Sequence, residues 1–397
     1  MIKPTVYINS CGIVNALGNS RQKVLDNLLA GNTAGVVPWE TKIQDKTVYV
    51  GKVDAVLPAV PENLSIFDCR NNRLMLSALS QIENEVERLK QRYPLDRIAV
   101  VIGSSTSGIL EGENALEQKT KSGHFPKLFH YRQQEIGTPA LFLRSYLGLT
   151  GLAYTVSTAC SSSAKVFANA RRLIKSGQCD AAIVGGIDSL CRLTVNGFSS
   201  LESVSAGRCN PMSANRDGIN IGEAAALFII TQEESEIALL GVGESSDAHH
   251  MSAPHPEGIG AIQAMEAALA EAAMDRTEVA YINMHGTATP LNDAMESIAI
   301  NHVFGSKIPV SSTKPLVGHT LGAAGATEVG FCWLLLGDGN PGGRLPPHVW
   351  DGVVDDKIAA ITLVKPGDNV AISSGTAFLS NSFAFGGNNA SVIIGRI

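Results

Sequence analysis

Short apolar runs alternate along the chain with longer segments in which apolar residues recur every three to four positions. Residues 97–103, 181–186 and 224–231 are apolar almost throughout rather than at every second position, which is typical of strands buried on both faces of a sheet. Residues 161–176 instead have the period of a helix with one apolar face. Strands that alternate with helices predict an α/β fold.

The same pattern predicts the remaining elements. Further strands are predicted at residues 5–13, 47–53, 152–156, 238–244, 279–285, 308–312, 370–373 and 390–394. Further helices are predicted at residues 20–30, 68–90, 260–273, 293–304 and 323–336. Residues 116–148 and 207–222 follow neither period. We therefore expect an irregular excursion over the surface at residues 116–148 and a loop at residues 207–222.

The chain contains a weak internal repeat. VSTACSSSAKVFANARRLI in one half and VSSTKPLVGHTLGAAGATEVGF in the other each lead from a strand, through a turn rich in Ser and Thr, into a helix of small residues. A repeated strand–turn–helix unit predicts two similar halves, residues 1–236 and 237–397. Nothing between them resembles a flexible linker, so we expect the halves to share an interface.

Composition narrows the class of protein. The 397 residues are 45% hydrophobic and 17% charged, with a net charge of −6, which favours a large buried core and argues against a nucleic-acid coat. Seven cysteines without a CxxC pair or zinc spacing favour a reducing compartment. No run approaches the ~20 apolar residues of a membrane span. We therefore expect a cytoplasmic protein without a membrane span or a nucleic-acid partner.

Cys160 lies between the predicted strand 152–156 and the predicted helix 161–176. There its sulfur would face the free N–H groups and the positive dipole of the first helical turn, an environment that favours the nucleophilic thiolate. The alternative is a small buried core cysteine, which is what most free cysteines are.

Two histidines lie at similar junctions. His285 ends a predicted strand, and His319 follows Lys314 by five residues at the start of a predicted helix. Side chains at the carboxyl ends of strands line the crevice in which α/β sheets bind ligands. The neighbouring glycine-rich segments lack both GxGxxG and the Walker ending, so they do not predict nucleotide binding, and we expect no metal site.

Five motifs, in order along the chain, resemble β-ketoacyl-acyl-carrier-protein synthases of the elongating, Cys-His-His branch. They are Thr158-Ala-Cys160-Ser-Ser, His285-Gly-Thr-Ala-Thr-Pro, Lys314-Pro-Leu-Val-Gly-His319-Thr, Gly-Ala-Ala-Gly-Ala-Thr-Glu328 and Asn381-Ser-Phe-Ala-Phe385-Gly-Gly-Asn-Asn. The resemblance implies the thiolase fold, in which two duplicated halves with mixed sheets form five α-β-α-β-α layers. It also implies a dimer.

The resemblance implies a role for each of these residues. Cys160 would hold the acyl chain as a thioester, while His285 and His319 would stabilise the enolate formed when malonyl-acyl-carrier protein loses CO2. Lys314 and Glu328 would form an ion pair that organises His319. Phe385 would act as a gate, and its N–H group and that of Cys160 would form the oxyanion hole. The family needs no cofactor, because its substrates arrive on the phosphopantetheine of the carrier protein.

The resemblance also implies a carrier-protein surface and an acyl pocket. Because the carrier protein is acidic, basic residues should meet it. The candidates are Arg70, Arg73, Lys127 and Arg132. Thr106 stands where the family sets the depth of the acyl pocket at the dimer interface.

Several residues depart from the usual family pattern. Ser161–Ser163 follow the nucleophile, Ile219 and Asn220 stand where Phe and Val are common, Ala384 replaces a Gly and Asn388 replaces a Thr. These departures favour a specialised type II polyketide or polyene pathway over primary fatty-acid synthesis. They leave open the acyl chain and the choice between a homodimer and a heterodimer with a paralogous chain-length subunit.

Three other functions remain as alternatives. A thiolase would need a second cysteine near the C-terminus, but the last cysteine, Cys332, lies in a predicted helix. An initiating synthase would carry Asn where this chain has His319. A non-catalytic chain-length partner subunit would lack Cys160.

Overall fold

A computed structural model describes residues 5–40 and 47–397. Its strands are β1 (Tyr7–Val14), β2 (Val36–Glu40), β3 (Thr47–Gly51), β4 (Ile98–Gly103), β5 (Ala153–Val156), β6 (Ala181–Asp188), β7 (Ile221–Gly222), β8 (Ala224–Thr231), β9 (Ile237–Ser246), β10 (Val279–Asn283), β11 (Pro309–Ser311), β12 (Thr362–Leu363), β13 (Ala377–Phe383) and β14 (Asn388–Arg396). Its α-helices are α1 (Arg21–Leu29), α2 (Arg70–Leu79), α3 (Glu83–Arg92), α4 (Ile109–Ser122), α5 (Thr138–Leu147), α6 (Ser162–Lys175), α7 (Arg192–Ser200), α8 (Ile259–Ala272), α9 (Pro290–Phe304), α10 (Lys314–Val317) and α11 (Ala324–Leu336). Short 3-10 helices lie at Glu62–Phe67, Leu95–Arg97, Tyr131–Gln133, Arg276–Glu278 and Leu321–Ala323.

The main sheet consists of two half-sheets with the same topology. The first has the strand order β1-β8-β6-β4-β5 and the second β9-β14-β13-β10-β11, to which β12 adds an edge. In both orders the first two pairings are antiparallel and the next two are parallel. The half-sheets join where Tyr7 of β1 pairs with Ala238 of β9. This repeated topology corresponds to the internal repeat in the sequence.

Helices separate and cover the half-sheets. α6 and α11 lie between them and contact strands of both, α2 and α5 cover the outer face of the first, and α8 covers the outer face of the second with α9 beside it. Along β6, Ala182 and Val184 face the central apolar cluster while Ala181 and Ile183 face the outer one, as the two-residue period of a strand requires. The result is the five-layered α-β-α-β-α fold of two duplicated halves, which confirms the predicted fold class.

A small third sheet, β2-β3-β7, lies beside the main one. Gly51 and Gly222 approach the carbonyl oxygen of Val317 so closely that a Cβ atom would lie 1.8 Å and 2.2 Å from it. Only glycine permits this contact, which brings the small sheet against the segment that follows α10. None of the described helices is long and apolar enough to cross a membrane.

The predicted helix 68–90 is wrong, because the chain breaks it into α2 and α3. Between them, the Gln81 side chain donates to the carbonyl of Ile13 at 2.9 Å and accepts the Ile13 N–H at 3.3 Å. The break between α2 and α3 is therefore tied to β1 by the Gln81 side chain, and this partner, 68 residues away, does not show in the local pattern.

Other regions also differ from the prediction. The excursion 116–148 is largely helical, in α4 and α5; α4 has one fully buried side chain, Ala115, so its apolar period is weak. α7 was not predicted at all. Residues 370–373 form no strand, since Val370 donates to the Gly343 carbonyl of a neighbouring loop. β5 is a half-exposed edge strand rather than a buried one.

Candidate active site

Cys160 lies in a tight turn between β5 and α6. Ala159, just before it, has a φ of 52°, a left-handed conformation that costs energy for a residue with a Cβ and that often marks functional sites. The Ser162 hydroxyl accepts the Thr158 N–H at 2.9 Å and donates to the Ala159 carbonyl at 2.6 Å. The Ser163 hydroxyl accepts the Ala326 N–H of α11 at 2.9 Å. The serines after the nucleophile thus hold its turn and tie the two central helices together.

The Cys160 side chain is buried, and burial raises the pKa of its thiol to about 11. The positive charge of Lys314 and the N–H groups of Phe385 and of Cys160 itself act in the opposite direction, but they do not outweigh the desolvation of the thiolate. Burial therefore opposes the thiolate that the sequence predicts for this site. The Nε2 atom of His319 lies 2.9 Å from the sulfur, so a proton acceptor is already in contact with the thiol.

His319 follows α10 in a turn that the small sheet holds on both sides. Its N–H donates to the Asn220 carbonyl at 2.6 Å, and its carbonyl accepts the Gly222 N–H at 2.8 Å. The side chain is buried, and this burial, together with the charge of Lys314, holds the pKa of the imidazole well below its usual value. His319 is therefore neutral at pH 7.

His285 follows β10, and its main chain is pinned by one carboxylate. The N–H groups of His285 and Gly286 donate to the two oxygens of Glu296, in α9, at 2.8 Å and 2.6 Å. The ring centroid of His285 lies 5.3 Å from that of His319 with the ring planes at 86°. Burial, then the charge of Lys314 and the repulsion from His319 whenever that ring is protonated, hold the pKa of His285 well below its usual value, so this imidazole is neutral too.

Lys314 and Glu328 form a buried ion pair, with Nζ and Oε1 2.6 Å apart. Burial raises the pKa of Glu328 to about 7, although the Lys314 charge opposes the shift. The Lys314 Nζ atom also lies 3.5 Å from Nδ1 of His285. The lysine therefore contacts His285, and the expected role of the pair in organising His319 stays a prediction.

Phe385 lies in the loop that joins β13 to β14. Gly386 and Gly387 have φ values of 83° and 72°, which favour glycine. Ala384 has no such φ, so its methyl group fits there without strain. The Phe385 ring is half buried, 5.6 Å from the ring of Phe198 in α7. A surface pocket lined by Phe385, Leu201 and Leu291, among others, opens beside it.

Thr106 is fully buried in the turn after β4. Its hydroxyl donates to Asp188 at 2.8 Å and accepts the Ser189 N–H at 3.2 Å. The same carboxylate accepts the Ser104 hydroxyl and the Ser105 N–H. The Thr106 hydroxyl is therefore part of a hydrogen-bonded turn, and its effect on pocket depth stays a prediction.

The predicted docking residues differ in their exposure and in whether an acidic residue of the same chain already pairs with their charge. Arg70 forms an ion pair at 2.5 Å with Glu223, whose carboxylate is fully buried, so its charge is committed inside the molecule. Arg73 pairs with Asp68 at 2.6 Å and keeps 42% of its side chain exposed. Lys127 and Arg132 are exposed. The structure thus leaves Arg70 a weak docking candidate, and the other three stay candidates.

Sequence reasoning missed Glu296 and the supporting position of Asn220. Glu296 acts through main-chain N–H groups, which leave no side-chain pattern to read. Asn220 did carry a signal, because it departs from the family pattern. Its place beside His319 was not predictable, since the two residues are far apart in the chain.

The ligand atoms of Cys160, His285 and His319 lie within 4.8 Å of one another. A sulfur and two imidazole nitrogens are ligands that a soft divalent cation takes. The Lys314 ammonium in contact with His285 opposes further positive charge there. The expectation of a site without a metal stays a prediction.

Comparisons with known proteins give a consistent answer. The family model described as "Beta-ketoacyl synthase, N-terminal domain" matches residues 3–236, and that described as "Beta-ketoacyl synthase, C-terminal domain" matches residues 237–346. The 3-oxoacyl-[acyl-carrier-protein] synthase 2 of Staphylococcus aureus is 31% identical over 75% of this chain and 77% of its own. The enzyme of the same name from Rhizobium meliloti is 35% identical, over 62% of each chain.

Among solved structures, the ketosynthase ApeO of Xenorhabdus doucetiae, in complex with its chain length factor ApeC, is also similar. It superposes with a TM-score of 0.94 at 47% sequence identity, over 99% of this chain and 98% of that one.

Proposed function

Because the chain belongs to the β-ketoacyl synthase family, we propose that it is a 3-oxoacyl-acyl-carrier-protein synthase. It condenses an acyl group held on Cys160 with malonyl-acyl-carrier protein, with loss of CO2. The observation that carries this proposal is the convergence of one cysteine and two neutral histidines within 4.8 Å, in a buried site.

In the first half-reaction, His319 takes the thiol proton across the 2.9 Å contact. The sulfur attacks the thioester of the acyl-carrier protein, and the N–H groups of Cys160 and Phe385 stabilise the oxyanion that forms. The carrier thiolate leaves and receives the proton from His319. In this mechanism His319 generates the thiolate during the reaction, whereas the sequence predicted a thiolate that is already present in the resting site.

In the second half-reaction, malonyl-acyl-carrier protein loses CO2, and the resulting enolate carbon attacks the acyl carbon on Cys160. Neutral His285 donates a hydrogen bond from Nε2 to the enolate oxygen, where the negative charge develops. His319, whose Nε2 gave up its proton at the end of the first half-reaction, donates as well once its proton has moved from Nδ1 to Nε2. An ammonium can only donate, so the Lys314 contact with Nδ1 favours the His285 tautomer with its proton on Nε2. The 3-oxoacyl product forms, the bond between the acyl carbon and the Cys160 sulfur breaks, and the departing thiolate takes up one proton from solvent.

The alternatives receive less support. Cys160 is present and has a histidine in contact, which a non-catalytic chain-length subunit does not need. Cys332, the candidate second cysteine of a thiolase, lies inside α11 within the central apolar cluster. His319 occupies the position where an initiating synthase carries Asn.

We further propose that the pathway is specialised and that the working unit is a heterodimer with a paralogous chain-length subunit. The 47% identity to a ketosynthase solved with its chain length factor supports this. The half-exposed edge strand β5 and the exposed apolar side chains of Leu116, Leu128 and Tyr131 also support a partner that contacts the first half. Substrates arrive on carrier-protein phosphopantetheine, and the cytoplasm remains the predicted compartment.

The test supplies malonyl-acyl-carrier protein with a panel of saturated, unsaturated and aryl-primed acyl-carrier proteins. The chain is prepared alone and co-expressed with a paralogous subunit, and mass spectrometry follows 3-oxoacyl-carrier protein. We expect product from the co-expressed pair, with a preference within the panel. If neither preparation forms product while a control synthase consumes the same substrates, the proposed function is wrong. Equal product from the chain alone would overturn the heterodimer.

A further inference from the structure

Asn220 is a fully buried polar side chain where the family commonly has an apolar Val. It immediately precedes β7, the strand of the small sheet that lies against the His319 turn. Burying an amide in place of an apolar side chain costs free energy unless every polar atom finds a partner.

The Asn220 amide finds both partners in one loop. Its Oδ1 accepts the Cys209 N–H at 2.7 Å, and its Nδ2 donates to the Gly207 carbonyl at 2.8 Å. On the other side, its main-chain carbonyl accepts the His319 N–H at 2.6 Å. One residue therefore joins the loop at 207–209 to the main chain of a site histidine.

The His319 turn needs such external support. Gly318 and Leu321 on either side of it both have left-handed backbone, with φ values of 74° and 52°, and Leu321 carries a Cβ that disfavours this conformation. The hydrogen bonds from His319 to Asn220 and Gly222 fix its main chain. The position of β7 thus determines where the imidazole lies relative to the Cys160 sulfur.

We propose that Asn220 is a positioning residue, whose side chain fixes the start of β7 on the 207–209 loop and thereby holds His319 in place for condensation. A Val at this position keeps the main-chain bond to His319 but leaves the Cys209 N–H and the Gly207 carbonyl without their partner. The strand that holds His319 then becomes looser, and a small displacement of a catalytic group is costly. The inference rests on the proposed condensing activity.

The test uses Asn220→Val and Asn220→Asp in the full-length chain, prepared with any partner that activity requires. We expect Asn220→Val to lower kcat for condensation by about tenfold, the effect of losing one or two buried hydrogen bonds, with the KM for malonyl-acyl-carrier protein unchanged. Thermal unfolding shows whether the variant is folded.

Asn220→Asp provides a second test that does not depend on whether Asn220→Val folds. A protonated carboxyl group reproduces both side-chain bonds, but a carboxylate cannot donate to the Gly207 carbonyl. The ratio of variant to wild-type kcat should therefore fall as the pH rises. Arg208, Cys209, Asp293, Lys314 and His319, the titratable groups around this position, are present in both proteins and cancel in the ratio.

A wild-type kcat in a folded Asn220→Val variant, a change confined to KM, or an Asn220→Asp ratio that does not vary with pH would overturn the proposal. These results differ from failure of the proposed function, in which the wild-type protein itself forms no 3-oxoacyl product.

Discussion

The two halves of the molecule share one strand order and one set of strand directions, yet they place different chemistry at equivalent strand ends. β5 leads to Cys160, while its counterpart β11 leads to Lys314 and His319. β4 leads to the Ser104–Thr106 turn, while its counterpart β10 leads to His285. The fold supplies the same crevice twice, and the residues at its edge decide what each half does.

Each half also pins the turn after its first parallel strand with a buried carboxylate. In the first half Asp188 accepts bonds from the turn after β4, and in the second Glu296 accepts the N–H groups of His285 and Gly286. Asp188 comes from the end of a strand and Glu296 from a helix. Both halves use a buried carboxylate to hold the turn, but only in the second half does that turn carry a histidine.

The largest expected effect separates the two half-reactions. His285→Ala should lower condensation by about 10²–10³-fold, as loss of an oxyanion donor does, while Cys160 still accepts an acyl group. Product formation and acyl loading are measured on the same preparation by mass spectrometry. His302→Ala, which changes an exposed histidine of α9, is the matched control and should leave both unchanged. Equal loss of loading and condensation would contradict this division of labour.

The pH dependence of Cys160 alkylation tests the protonated thiol. With the pKa near 11, only the small thiolate fraction reacts at neutral pH, and this fraction grows about tenfold per pH unit below the pKa. Iodoacetamide should therefore modify Cys160 about a hundredfold faster at pH 9 than at pH 7.

Cys160→Ala corrects for the other cysteines in this assay. A rate that is already level at pH 7 would instead indicate a thiolate stabilised by His319, and would restore the sequence-based expectation.

Glu296→Gln should have a smaller effect, confined to the second half. The amide keeps one acceptor oxygen for the two N–H groups of His285 and Gly286, so condensation should fall by about tenfold. Acyl loading of Cys160 should not change. Glu266→Gln, at an exposed position of α8, controls for loss of a carboxylate. If loading fell as much as condensation, Glu296 would have a general structural role.

The smallest effect concerns the carrier-protein surface of the first half. Lys127→Glu and Arg132→Glu should each raise the KM for acyl-carrier protein by about threefold at low salt. The increase should be smaller at high salt, because dissolved ions screen the attraction between exposed charges on the two proteins. Lys307→Glu changes an exposed lysine of the second half and should leave the KM unchanged. A kcat effect without a KM effect would remove these residues from the docking surface.

The sequence was sufficient for the features that short segments specify. The strands β4, β6 and β8 and the helix after Cys160 follow from local patterns, and the convergence of Cys160, His285 and His319 follows from the motifs, whereas the buried strand β13 was not predicted. Long-range contacts caused the errors. The predicted helix 68–90 breaks where the Gln81 side chain bonds to β1, and Lys314 contacts His285 although His319 is closer in sequence.

The effect of burial on Cys160 was missed for a similar reason. The start of a helix favours a thiolate, but the complete burial that opposes it exists only after both halves have packed around the sulfur.

The most direct test of the account is to locate the acyl group after incubation with acyl-carrier protein alone. Mass spectrometry of peptides from the wild-type protein should find the acyl mass on the peptide that contains Cys160, and Cys160→Ala should gain none. Addition of malonyl-acyl-carrier protein should then remove the label as 3-oxoacyl product. An acyl group that is absent from Cys160, or that Cys160→Ala also gains, would contradict the assignment of Cys160 as the nucleophile.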